Sequence, residues 1–189
     1  MNFIKTGIYA LDADAQFIEP KPVEISGERK QHLLKQYNLN ERNIVILNPY
    51  ANTILGEVQN TFWTRLAEKL IKEGYKVYTD CGAGDKTPIQ GTEAMVASLT
   101  ELAFICKYID GYIGLRSGLL DYVLFSKCKV IAIYPGEKGV DGNDVFQAFD
   151  INGINKLLTE PINTKCWQYQ IKNENAVLDG VGEWLKATV

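Results

Sequence analysis

Four short apolar runs, each followed by a breaker or a polar loop, and the helical patterns between them limit what this chain can fold into. The runs are Asn43–Asn48, stopped by Pro49; Tyr75–Thr79; Gly111–Leu115; and Lys129–Tyr134, stopped by Pro135-Gly136. Asn43–Asn48 is apolar over its middle residues on both sides of the pleat, as suits a strand buried on both faces. Between the first two runs, Phe62, Leu66, Ala67 and Leu70 recur at helical spacing until Gly74. Between the next two, Ser98-Leu99-Thr100-Glu101 is a capping box that opens a helix with Leu102, Ala103, Cys106 and Ile109 facing inward. Leu119–Phe125 supplies the last helix of the series. Strand and helix in alternation predict an α/β fold: a Rossmann-like parallel sheet with helices on both faces and right-handed crossovers.

The flanks are less regular. Residues 1–25 carry scattered apolar positions and two closely spaced prolines, Pro20 and Pro22, and are expected to be a leader or linker segment. Ser26 caps an expected helix with Leu33, Leu34 and Tyr37 on one side, ending near Asn38-Leu39-Asn40. Asp80–Gly91 is a polar, glycine-rich loop, and a short helix is expected within 144–158. Cys166–Ile171 is expected to add a strand and Asn175–Lys186 a terminal helix, so residues 26–189 form a single domain. With 189 residues the chain can build one well-buried domain but not two large ones.

A net charge of −3 supplies no basic stripe, which argues against nucleic-acid or membrane-surface binding. No run of eighteen apolar residues exists, and the first residues lack a signal-peptide pattern, so a cytoplasmic protein is expected. The four cysteines form no CxxC pair, which suits neither a zinc site nor a disulfide framework; Cys106 and Cys128 are expected to be buried thiols. The one histidine, His32, lies in a charged stretch expected on a solvated helix face. No metal and no cofactor is expected.

Chemistry concentrates at one turn. The segment from Ile109 reads as a strand that ends at Gly114 and turns through Arg116-Ser117-Gly118 into a helix opening at Leu119. Such a turn points backbone N–H groups, here those of Ser117, Gly118 and Leu119, at one spot that attracts a phosphate or diphosphate. Arg116 adds a permanent positive charge, or pairs with Asp110 or Asp121; Asp121 can equally complement the helix dipole from its first turn. Three further loops leave the carboxyl edge of the sheet, where open parallel sheets bind ligands: Pro49–Thr53, Asp80–Lys86 and Tyr134–Lys138. Asn52 and Thr53 either cap the next segment or contact a ligand. Gly82 and Gly84 lack the GxGxxG spacing, and no GxxxxGK[ST] occurs. No positioned acid–base pair is evident, so no catalytic residue is assigned. Trp63 and Trp167 are expected in the core or an interface.

Taken in order, these segments resemble the second half of GT-B glycosyltransferases of the heptosyltransferase type. The residues that carry the resemblance are Asn48–Thr53, then Phe62-Trp63 opening a helix, Leu70–Tyr78, Ser98–Ala103 and Asp110–Gly118, within residues 40–136. The resemblance implies a donor-binding domain whose Ser117-Gly118 turn holds the diphosphate of a nucleotide diphosphate-sugar. It also implies that Asn52 and Thr53 contact phosphate or sugar, and that Tyr134 and Glu137 contact the nucleoside. Two departures stand out: Arg116 replaces the family's acid, and no histidine follows in the helix, as in a related set similar to enzymes of surface-polysaccharide synthesis. GT-B enzymes pair two Rossmann-like halves, whereas only a short leader precedes this one. An excised C-terminal domain, a truncated product or one subunit of a split enzyme is therefore implied, with no transferase activity expected from the chain alone. The alternative is a non-catalytic module that docks a partner chain. The final helix of the family packs back on the first half, so Val177, Leu178, Val181, Trp184 and Leu185 are expected to be partly exposed. A half of a sugar-nucleotide epimerase shares the fold, but that chemistry also needs acids from a first domain.

Overall fold

A computed structural model describes residues 24–41, 43–51, 58–115, 117–123, 128–135, 166–171 and 174–186. The expected helix within 144–158 lies outside them, as does most of the leader. In chain order the elements are α1 (Gly27–Gln36), β1 (Ile44–Asn48), α2 (Asn60–Lys72), β2 (Lys76–Asp80), β3 (Glu93–Met95), α3 (Leu99–Ile105), β4 (Gly111–Leu115), α4 (Gly118–Val123), β5 (Lys129–Pro135), β6 (Cys166–Ile171) and α5 (Glu174–Lys186). The six strands form one sheet in the order β3-β2-β1-β4-β5-β6, and every pairing is parallel. This is the strand order of a Rossmann fold, with the chain reversing direction across the sheet between β1 and β4.

Alternation along each strand sorts the core into two layers. Ile44, Ile46, Tyr78, Tyr112, Val130, Ala132 and Tyr134 pack with Leu33 of α1, with Leu102 and Ile105 of α3, and with Leu120 and Val123 of α4. The intervening residues, Val45, Leu47, Val77, Ile113, Leu115, Ile131 and Ile133, pack with α2 and α5. Local signals place the helices as expected. Ser26 Oγ accepts from Arg29 N at 3.2 Å, and Ser98 with Glu101 completes the capping box of α3. Trp63 is fully buried, and His32 is exposed beside the Arg29 guanidinium. Cys106 and Cys128 are buried. Among the described residues, no helix is long and apolar enough to cross a membrane.

Three features differ from the sequence expectations. β3 is an additional edge strand of three residues of which only Met95 is buried, too short for any apolar run to announce it. Its continuation is held by a side chain: Tyr37 Oη donates to Val96 O at 2.7 Å and accepts from Val96 N at 3.1 Å. α3 ends at Ile105, so Cys106 becomes its C-cap, and Ile109 is buried in the connection to β4 rather than on the helix. The third difference is the largest. Val177, Leu178, Val181, Trp184 and Leu185 are all buried, because α5 lies on this domain's own sheet. Gly111 makes that docking possible, since a Cβ there would stand 2.6 Å from Leu185 Cδ2. Lys129 secures the helix end by donating from Nζ to the Trp184 and Leu185 carbonyls at 3.2 and 2.8 Å.

Candidate functional site

A cleft of about 390 Å³ opens at the carboxyl edge, where β1 and β4 lie side by side and the strand order reverses. That size is within the roughly 300–1,000 Å³ of small-molecule sites, and that position is where doubly wound sheets bind ligands. Its lining comes from three strand ends: Asn48, Tyr50 and Ala51 after β1; Asp80, Gly82, Asp85 and Lys86 after β2; and Ser117, Gly118 and Leu119 after β4.

Asn48 ends β1 opposite Gly114 of β4 and is almost wholly buried. Its Oδ1 accepts from Tyr50 N at 3.1 Å, which turns the chain into the loop. Gly114 leaves room for it: an added Cβ would lie 3.1 Å from Asn48 Cβ and 3.4 Å from the Tyr112 ring. Asp80 is also buried, with Oδ1 accepting from Gly82 N at 2.9 Å and Oδ2 from Tyr112 Oη at 2.8 Å. Burial raises the carboxyl's pKa above its ordinary value, and the two hydrogen bonds offset this only in part. Tyr112 is likewise pushed well up, first by burial and then by the Asp80 charge.

These shifts fix the sign of a pH effect. A carboxyl whose pKa is raised on folding contributes stability that is complete below its ordinary value of 3.8 and lost as pH climbs through the raised value. Urea denaturation of the wild type and of Asp80→Asn across this range should therefore show the wild type losing ground to the variant from acid to neutral pH. A constant difference between the two would contradict the assignment.

On the outer side, Lys86 Nζ stands 3.3 Å from Asp85 and 5.7 Å above the Tyr50 ring, and Tyr50 Oη donates to the Thr87 carbonyl. Lys86 is the one cation among the described lining residues. Across the cleft, Ser117 Oγ accepts from Leu120 N at 3.4 Å and caps α4, while Gly118 is exposed with nothing within 4 Å of an added Cβ. A second hollow of about 430 Å³ shares Asp80, Gly82 and Leu119 with the first and runs toward Val96, Ser98 and Arg29. There Arg29 Nε meets Glu101 Oε1 at 2.5 Å, holding that carboxylate below its usual range.

Of the site residues expected from sequence, Ser117, Gly118 and Leu119 line the cleft together. Asn52, Thr53, Arg116 and Glu137 lie outside the described residues, and Asp121 occupies the first turn of α4 with its side chain also outside them. The placement of Tyr134 against a nucleoside is corrected: its ring is fully buried in the same layer as Val130 and Ala132 and offers no surface to a ligand. Asn48 was not foreseen as a lining residue, although one polar side chain closing an apolar run at the carboxyl edge is a signal for one. Among the described residues no group of three or more His, Cys, Asp or Glu side chains is placed to hold a metal.

No family model matches the chain, and no curated protein does. Solved structures do. An E. coli ADP-heptose lipopolysaccharide heptosyltransferase II is 16% identical over 90% of this chain, with a TM-score of 0.58. A family 9 glycosyltransferase from Veillonella parvula is 17% identical over 86%, with a TM-score of 0.57. A second E. coli heptosyltransferase, solved with ADP, is 11% identical over 88%, with a TM-score of 0.51. The chain spans 55%, 53% and 50% of those structures respectively, about half of each. Identity this low establishes a shared architecture, and the chain accordingly has the Rossmann-like fold of one half of a heptosyltransferase-like GT-B structure.

Proposed function

We propose that this domain binds a nucleotide diphosphate-sugar in the cleft between β1 and β4, as the donor half of a cytoplasmic glycosyltransferase of surface-polysaccharide or glycoconjugate synthesis. The observation that carries the proposal is the Ser117-Gly118 turn facing Asn48 and Tyr50 across the point where the strand order reverses. The shared fold with half of three glycosyltransferase structures supports it. The diphosphate would lie against the N–H groups of Ser117, Gly118 and Leu119, with Arg116 supplying the charge that Lys86, already engaged by Asp85, cannot supply alone. Stabilising the departing diphosphate is the main catalytic contribution such a half can make. Asn52 and Thr53 contact phosphate or sugar, and Glu137 the nucleoside. Turnover requires an acceptor-binding half, as a further domain or a partner subunit. The partner-docking alternative counts on apolar surface from residues 1–25 and from α5, and the α5 part of that surface is covered here.

Calorimetric titration with a panel of nucleoside diphosphates tests the proposal. Binding of at least one is expected, and Arg116→Ala should weaken it by about 1.5–3 kcal/mol, the scale of a hydrogen bond to a charged group. No heat with any of them at millimolar concentration would defeat it.

A further inference from the structure

We propose that Asn48 is itself a ligand-binding residue, its Nδ2 donating to a phosphoryl oxygen of the molecule held in the cleft. This rests on the cleft being the ligand site, as proposed above. Asn48 is 2% exposed and lines the cleft wall. The orientation of its carboxamide is dictated by the Tyr50 amide, which donates to Oδ1; turning the group over would set two donors against each other. Nδ2 is thereby directed away from that bond and has no hydrogen-bond partner among the described residues. Buried donors without an acceptor are rare and costly; Trp63 Nε1 in the core is another, but of the two Asn48 is the one that lines the cleft, where a bound molecule can supply the acceptor. Tyr112 Oη is the nearest candidate acceptor, and Asn48 favours its ionised form weakly, as a long hydrogen bond would, but the contact falls short of the geometry that would satisfy Nδ2. That hydroxyl is already committed as a donor to Asp80. Gly114 contributes by omission, because a side chain there would press on Asn48 Cβ.

The acceptor is expected to be phosphoryl oxygen, for a geometric reason. Asn48 and the Ser117-Gly118 turn belong to the facing ends of β1 and β4 and line the same cleft. Asp80 beside them accepts at both oxygens from within the protein, so its lone pairs are engaged in positioning Tyr112 and Gly82 and it is no rival acceptor for Nδ2. Asn48 is the neutral donor in that wall, and it discriminates for an oxygen acceptor over a donor group.

Two readouts on the full chain test this. The first is the Asn48 side-chain NH₂ pair in ¹⁵N-resolved NMR of the wild type, titrated with inorganic pyrophosphate and with the nucleoside diphosphate panel. Both signals should shift, with slowed solvent exchange. The second is Asn48→Asp, which keeps the acceptor for Tyr50 N and replaces the donor; affinity for the same probes should fall between about tenfold and a hundredfold. If the variant does not fold, the wild-type NH₂ signals decide alone. Nucleoside diphosphate binding with unmoved NH₂ signals and an unchanged Asn48→Asp affinity would overturn the role of Asn48 while leaving the proposed function standing. Pyrophosphate shifting those signals while no nucleoside diphosphate binds would uphold Asn48 and defeat the nucleotide. Signals unmoved by every probe, with no binding, would overturn both.

Discussion

Val181→Asp should cost about 3–5 kcal/mol of stability, the scale of leaving an unpaired charge in a buried site. Val181 is fully buried at the centre of the α5 contact with the sheet, among Val177, Leu178, Trp184 and Leu185. The described ion pairs of α5 lie at the edges of this interface, where Arg65 meets Glu174, Lys69 meets Asp179 and Lys186 meets Glu73, so none of them reaches in to neutralise the new carboxylate. Chemical denaturation monitored at Trp fluorescence measures the loss. A loss below about 1 kcal/mol, the level of an exposed site, would mean that α5 does not rest on this sheet in solution. The partner-docking alternative would then regain its surface.

Trp63→Ala carries the second large effect, about 3–5 kcal/mol, because it removes a fully buried indole and leaves a cavity that α2 cannot close. Trp63 packs edge-on against Phe62 at 5.3 Å between ring centres, in the same layer as Leu47 and Ile113. Trp63→Phe, which keeps part of that volume, should cost clearly less. Equal costs for the two variants would contradict the cavity argument.

Much of the fold was legible because its strands are buried on both faces and its helices carry single apolar stripes. Ile44–Leu47 could hardly be anything but a central strand, and the Ser98–Glu101 box marked the start of α3 to the residue. What stayed hidden had physical causes. β3 has too few buried side chains to print a pattern. The stripe on α5 was visible, but a stripe does not say what covers it. The answer lay in Gly111 and Lys129, residues distant in sequence whose lack of a side chain and long cationic reach receive the helix.

The site divides along the same line. Loops at the carboxyl ends could be grouped because parallel connectivity puts all of them on one edge, and Ser117, Gly118 and Leu119 do line the cleft there. Single side chains fared worse. The family resemblance puts Tyr134 against a nucleoside, yet the two-residue repeat through Val130 and Ala132 points it into the core. Asn48 was passed over as the last residue of a strand, although its orphaned amide is the more specific clue.

The most direct measurement is the location of binding. In backbone NMR of the full chain titrated with nucleoside diphosphates, the largest shifts should gather at Asn48, Tyr50 and Ala51, at Gly82–Lys86, and at Ser117, Gly118 and Leu119, the three strand ends that line one cleft. Shifts centred on another face of the domain, with these residues still, would contradict the assignment of the switch point as the donor site.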